Sequence, residues 1–133
     1  MFGTKNDSRP QGRIDSLIGV GTVVEGNVRF SGGLRIDGEV KGNVTAAEGA
    51  SSSTLVLSEQ ARIEGQVEVA HFVINGTVAG AVTVSESLEM QPRARIVGDV
   101  TYAAIEMHQG AVIEGRLVHQ ASKSVELKLA ASN

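Results

Sequence analysis

The chain has no cysteine, no tryptophan, two prolines, one tyrosine and three phenylalanines among its 133 residues. Without cysteine there is no disulfide framework, no thiolate metal site and no thiol nucleophile, as is compatible with a reducing compartment. With aromatics at 3%, the core has to be filled by Val, Ile, Leu and Ala, so it should be thin and regular. Long hydrophobic runs are also missing. Nothing approaches the roughly 18 consecutive apolar residues of a membrane span, and the first twenty residues hold no apolar stretch of signal-peptide length. The chain is therefore expected neither to cross a bilayer nor to carry a cleavable export signal.

The formal net charge of −3 is unevenly distributed. Residues 1–13 carry Lys5, Arg9 and Arg13 against Asp7, and residues 122–133 carry Lys123 and Lys128 against Glu126. Both ends are thus basic and the body between them is acidic, which argues against binding to nucleic-acid phosphates.

What the chain does have is 16 glycines and a repeat. IGVGTVVEGNV (18–28), LRIDGEVKGNV (34–44) and FVINGTVAGAV (72–82) share an eleven-residue form; LVLSEQARIEGQV (55–67), LEMQPRARIVGDV (88–100) and IEMHQGAVIEGRL (105–117) share a thirteen-residue form. The units start at 18, 34, 55, 72, 88 and 105, so the spacings are 16, 21, 17, 16 and 17 residues. The long spacing contains the small and polar stretch 46–54, read as a loop extruded from one turn.

Aligned by column, the units separate inward from outward positions. Before the shared glycine (Gly26, Gly42, Gly65, Gly80, Gly98, Gly115) stand Val24, Val40, Ile63, Val78, Ile96 and Ile113. Two residues earlier the column is small, as in Gly38, Ala61 and Ala94; residues two apart on a strand share a face, so both columns point inward. The residues between them, such as Glu39, Arg62 and Arg95, point outward. Similar alternation before and after this stretch predicts three short strands per unit, separated by turns. No i, i+3, i+4 stripe supports a helix, and a β-sandwich would not keep small residues stacked on small ones through six copies. The pattern predicts an all-β fold: a single-chain parallel β-helix, or solenoid, of about six three-strand coils between flexible termini. At about 4.8 Å per coil the rod is roughly 30 Å long. The predicted layout is a tail over 1–13, a β-helix over 14–121 with its insertion at 46–54, and a tail over 122–133.

Chemistry is harder to find. The glycine column reads as a corner with no room for a Cβ rather than a phosphate cradle, because no glycine-rich loop precedes a helix. His71, His108 and His119 occupy three different columns: the turn after a third strand, the turn after a first strand, and an inward third-strand position in the last coil. They are not expected to converge on a metal or an acid–base pair. Glu25, Glu64 and Glu114 share a column with Lys41, Ala79 and Val97 and read as a solvated face. No catalytic residue, metal or cofactor is expected, and the chain is not expected to be an enzyme.

Two features remain. A solenoid has two open ends, and here the end coils are nearly as apolar as the middle ones: Leu17, Ile18, Val20, Val24, Val28 and Phe30 at one end, Ile105, Met107, Val112, Ile113 and Leu117 at the other, with His119 closing the inward column. Such ends should meet other ends, which makes a second copy the expected partner. Outward Val56 and Val73 could add lateral contact. The second feature is the amino terminus, where Met1 and Phe2 lie near Lys5, Arg9 and Arg13, a pattern suited to an anionic lipid surface. Inserting Phe2 gains about 2–3 kcal/mol, weak for one copy and additive when many are displayed together.

The stretches IDGEVKGNV, ARIEGQV, INGTVAGAV and IVGDV, within coils running from about Ile14 to Gln120, resemble the bactofilin family of polymer-forming cytoskeletal proteins, as does the Met-Phe start with its nearby Lys5. The resemblance implies a right-handed β-helix, nucleotide-independent polymerisation through the end coils, and attachment to the cytoplasmic face of an inner membrane. It further implies a scaffold for cell-wall enzymes and cell shape. Two rival solenoids fit less well. A hexapeptide-repeat acyltransferase uses coils of about 18 residues, and a carbohydrate-binding solenoid needs flat outward arrays of aromatics or threonines.

Overall fold

The computed structural model describes residues 14–47 and 53–120. They form sixteen strands and no helix, wound into six coils. Coil 1 holds β1 (Ser16–Ile18), β2 (Val23–Glu25) and β3 (Val28–Phe30); coil 2 holds β4 (Gly33–Ile36), β5 (Glu39–Lys41) and β6 (Val44–Ala46). Coil 3 holds β7 (Thr54–Leu57), β8 (Arg62–Glu64) and the start of β9 (Val67–Ile74); coil 4 continues β9 and adds β10 (Thr77–Ala79) and the start of β11 (Val82–Met90). Coil 5 holds the rest of β11, β12 (Arg95–Val97) and β13 (Val100–Tyr102); coil 6 holds β14 (Ala104–Met107), β15 (Val112–Glu114) and β16 (Leu117–His119).

Every strand pairs in parallel with its counterpart one coil away. The middle strands stack in the order β15-β12-β10-β8-β5-β2, and the first and third strands join into a second sheet. The ladder aligns Val24, Val40, Ile63, Val78, Ile96 and Ile113 in one column, as the alternation of the sequence predicts. The four central members of that column are fully buried. Around them the interior is filled by Ile36, Val44, Leu55, Leu57, Phe72, Ile74 and Met90, one layer of side chains per coil with a single aromatic ring at its middle. A branched aliphatic fills this narrow space and most rings would not, so the scarcity of aromatics follows from the cross-section.

Two details differ from the sequence expectation. The strands are not always separated by turns: β9 and β11 each run from the third strand of one coil into the first strand of the next. A register shift between Val84 and Ser87 marks a bulge where β11 makes this passage beside β9. His71 therefore lies within β9, not on a turn.

The second correction concerns coil 1. The repeat places Ile18 over Leu34, but the ladder pairs Ser16 with Leu34 and Ile18 with Ile36. Coil 1 has the longer first corner, closed by Thr22 N–H donating to Gly19 O at 3.1 Å. The same turn recurs at Ala61 to Ser58, Ala94 to Gln91 and Ala111 to His108. Val20 consequently sits on the corner, 73% exposed, instead of in the inward column. The short corner of coil 2 nests against the long one: a Cβ at Gly38 would lie 2.3 Å from Thr22 O and 2.5 Å from Gly19 O.

The shared-glycine column is also explained by close approach. At Gly80, with φ +152°, a Cβ would lie 2.1 Å from Gly65 O on the coil below. One residue further, Asn27 Oδ1 accepts the Asn43 N–H and Asn43 Oδ1 accepts the Gln66 N–H, both at 2.9 Å, satisfying backbone donors between coils at this corner.

At another corner, the Ser58 hydroxyl donates to Asp37 Oδ1 and the Arg35 guanidinium donates to the same oxygen at 2.9 Å. The Ser58 bond, with the help of Arg35 and against partial desolvation, holds the Asp37 carboxyl below its ordinary range. A carboxyl depressed by folding stabilises above its unfolded pKa and loses that contribution as pH falls through the folded one. Acid unfolding of Asp37→Asn should accordingly have a shallower pH dependence than wild type below about pH 4, measurable by circular dichroism.

Candidate polymer interface at the end coils

The two ends of the rod are built from the columns that fill its middle. Along the column of Val40, Ile63, Val78 and Ile96 each residue is covered on both sides, whereas Val24 at one end and Ile113 at the other are only partly buried. Ile18, Val28 and Phe30 in coil 1 and Ile105 in coil 6 pack on the core in the same half-covered way. Met107 and Leu117 are 44% and 50% exposed. The structure thus collects Ile18, Val24, Val28 and Phe30 at one end and Ile105, Met107, Ile113, Leu117 and His119 at the other; Val20 alone is displaced, onto the corner.

One outward column changes character at both ends. The outward column of the middle strands reads Val23, Glu39, Arg62, Thr77, Arg95 and Val112, polar in its four central coils and apolar at both ends. Val23 and Val112 are 50% and 44% exposed, and Leu17 and Val118 are exposed beside them. Leu17 and Val112 belong to the apolar end coils that the sequence already picks out; Val23 and Val118 do not emerge from it, because their columns are polar in the four central coils, and the informative signal was the switch to apolar in an end coil. The apolar surface extends from the core cross-section over its rim.

The backbone is open at both ends as well. Among the described residues, β1, β2 and β3 pair only toward coil 2, and β14, β15 and β16 only toward coil 5. A Cβ added at Gly26, the end member of the glycine column, would meet nothing within 4 Å. His119 lies over Tyr102 in the inward column, ring centroids 5.5 Å apart, with Nε2 3.1 Å from Ala103 O.

Elsewhere the surface holds charge pairs. Arg62 meets Glu64 at 2.9 Å, which holds the Glu64 carboxyl below its usual range; Arg93 meets Glu59 at 2.9 Å and Arg95 meets Glu114. The three histidines remain apart: His71 Nδ1 lies 2.9 Å from Ser87 Oγ, and His108 joins two carboxylates that the sequence reading left unconnected. Glu89 and Glu106 stand in register on β11 and β14, and His108 Nε2 lies 3.2 Å and 3.4 Å from their Oε2 atoms. These groups bring three potential metal-ligand atoms within 4.8 Å of one another on an open surface. The spacing of Glu106 and His108, two residues apart on one face, was the available signal. Val56 and Val73 are paired in register on the floor of a shallow groove of about 440 Å³ rimmed by Arg35, Asp37 and Glu59. The suggested lipid-binding residues Met1, Phe2, Lys5, Arg9 and Arg13, and residues 48–52 of the insertion, lie outside the described residues.

Comparison with known proteins agrees with this architecture. The chain is similar to bactofilin BacO of Myxococcus xanthus (strain DK1622), 27% identical over 103 residues that cover 77% of this chain and 78% of BacO. It is also similar to bactofilin BacP of the same organism, 25% identical over 103 residues, but this match spans only 41% of the length of BacP. No solved structure matches significantly. The family model described as bactofilin, polymer-forming cytoskeletal, matches residues 16–118, the whole run of coils from β1 into β16, and the chain therefore belongs to the bactofilin family.

Proposed function

We propose that this protein is a filament subunit whose coils stack end to end without nucleotide, and whose filaments lie on the cytoplasmic face of a membrane as a scaffold for cell-wall or cell-shape machinery. The observation that carries the proposal is the pair of uncovered ends: interior columns left half-exposed, the outward column of the middle strands turned apolar in the first and last coils, and strand edges with one neighbour instead of two. Stacking a second copy on either end covers apolar surface and supplies backbone partners at once, and neither gain draws on the chemistry of a nucleotide. Family membership supports self-association.

Sedimentation of the tag-free protein tests this reading. At micromolar concentration and near-physiological salt most of it should pellet as polymer, with or without nucleotide; a stable monomer under those conditions overturns it.

Membrane attachment is assigned to Phe2 and the nearby Lys5, Arg9 and Arg13. One Phe and three basic residues together contribute several kcal/mol at an anionic leaflet, and a filament multiplies this by display. Deleting residues 2–5 should abolish co-pelleting with anionic liposomes while polymers persist; unchanged liposome binding would remove the tail from the account.

A further inference from the structure

We propose that His119 makes assembly at the coil-6 end sensitive to pH, so that filaments weaken as the medium becomes acidic. The inference rests on the end-to-end reading and adds regulation to it. His119 occupies an interior column. Its register partner is Tyr102 on β13, and the preceding columns of the third strands carry Val69 and Val84 or Phe30 and Ala46 at the matching position. Five coils thus place an apolar or aromatic side chain where the sixth places an imidazole, at the coil-6 end of the column.

The surroundings of His119 are specified by few groups. From β13 it faces the Tyr102 ring and the Ala103 carbonyl, whose oxygen is 3.1 Å from Nε2. On its own strand its neighbours are Leu117 and Val118, and at the preceding corner the Arg116 N–H is bound to Asp99 Oδ1 at 3.0 Å. Among the described residues no carboxylate lies within ion-pair distance of its ring. In the isolated subunit the ring is exposed, and water solvates either protonation state. When another coil stacks on β16, the ring passes into the continuing core. A neutral imidazole fits there, with Nε2–H donating to Ala103 O; an imidazolium would lose its hydration without gaining a counter-charge from the described residues of its own subunit.

The sign follows from linkage. If assembly favours the neutral ring, the assembled state binds a proton less readily than the free subunit, so assembly is at full strength above the ordinary imidazole range near pH 6.5 and weakens below it. The critical concentration should rise by up to about tenfold per pH unit below that range for each histidine taken into a joint.

Sedimentation of the full-length, tag-free protein between pH 7.5 and pH 5.5 tests the proposal, with His119→Phe and His119→Gln beside wild type and His108→Gln as a control for the surface triad. Wild type and His108→Gln should lose polymer as pH falls. Both position-119 variants should show a flat pH profile, the Phe variant at a lower critical concentration and the Gln variant at a higher one. Circular dichroism at each pH establishes that the subunits remain folded. An equal pH slope in wild type and both position-119 variants, no slope in wild type, or assembly that strengthens with acid would each overturn the proposal. Failure of wild type to pellet at pH 7.5 would instead reject the end-to-end reading beneath it.

Discussion

Replacing Leu117 by Arg is expected to turn a pelleting protein into a soluble one without unfolding it. Leu117 is 50% exposed on the terminal strand β16, so the isolated subunit can turn a long basic side chain toward water at little cost. In a joint the same group would be covered by a neighbouring coil, and an unpaired buried charge costs several kcal/mol. At about 1.4 kcal/mol per tenfold, the critical concentration should rise a hundredfold or more. Ile18→Arg should act similarly at the other end, because Ile18 is likewise only half covered by its own chain. Glu68→Arg, on the outward face of the middle of the rod, serves as control and should leave sedimentation unchanged. The combined Ile18→Arg, Leu117→Arg subunit should be monodisperse with an unaltered β-sheet circular dichroism spectrum. A spectrum lost with the polymer would mean that these residues hold the fold and not the joint.

The second large effect is expected inside the rod. Gly80→Ala places a Cβ 2.1 Å from the backbone oxygen of Gly65, and both sides of that contact are ladder backbone with no flexible side chain to yield. The coils must move apart locally, breaking the register on either side, at a cost of about 3–5 kcal/mol. Gly26→Ala provides the contrast, since there the added atom meets nothing and only the backbone preference at φ +139° is opposed, about 1–2 kcal/mol. Urea titrations of the two variants in the non-polymerising double-Arg background should separate them by at least about 1 kcal/mol, with Gly80→Ala the less stable. Equal losses would show that the glycines serve backbone conformation alone and that close stacking is not what selects them.

These two experiments bear on how much could be read before the structure. Period-two alternation identifies which side chains face inward, and six copies of it distinguish stacked coils from a sandwich, so the columns through Val40, Ile63, Val78 and Ile96 were legible in full. The register of coil 1 was not. Either Ile18 or Val20 can be set over Ile36 with an apolar residue in the column, and only the turn from Thr22 to Gly19 decides for Ile18. The fusion of strands through Ala70 in β9 and Ser85 in β11 was equally hidden, because a bend carried within a continuous strand leaves no breaker residue behind.

At the ends, the inward residues were visible from their columns, and the apolar rim only in part, through Leu17 and Val112. Val23 and Val118 look like scattered surface valines until the coils are stacked and their columns are found to be polar in the four central coils. The grouping of His108 with Glu89 and Glu106 required a cross-coil register that joins a corner to two strands.

The central claim is that the polymer continues the solenoid along its own axis. Fibre diffraction or electron cryomicroscopy of the tag-free filaments tests it most directly. Six coils at about 4.8 Å predict a strong meridional reflection at that spacing and an axial subunit length of about 29 Å, with the strands perpendicular to the filament. An axial repeat set by side-by-side packing, with the strands inclined well away from that perpendicular, would contradict it.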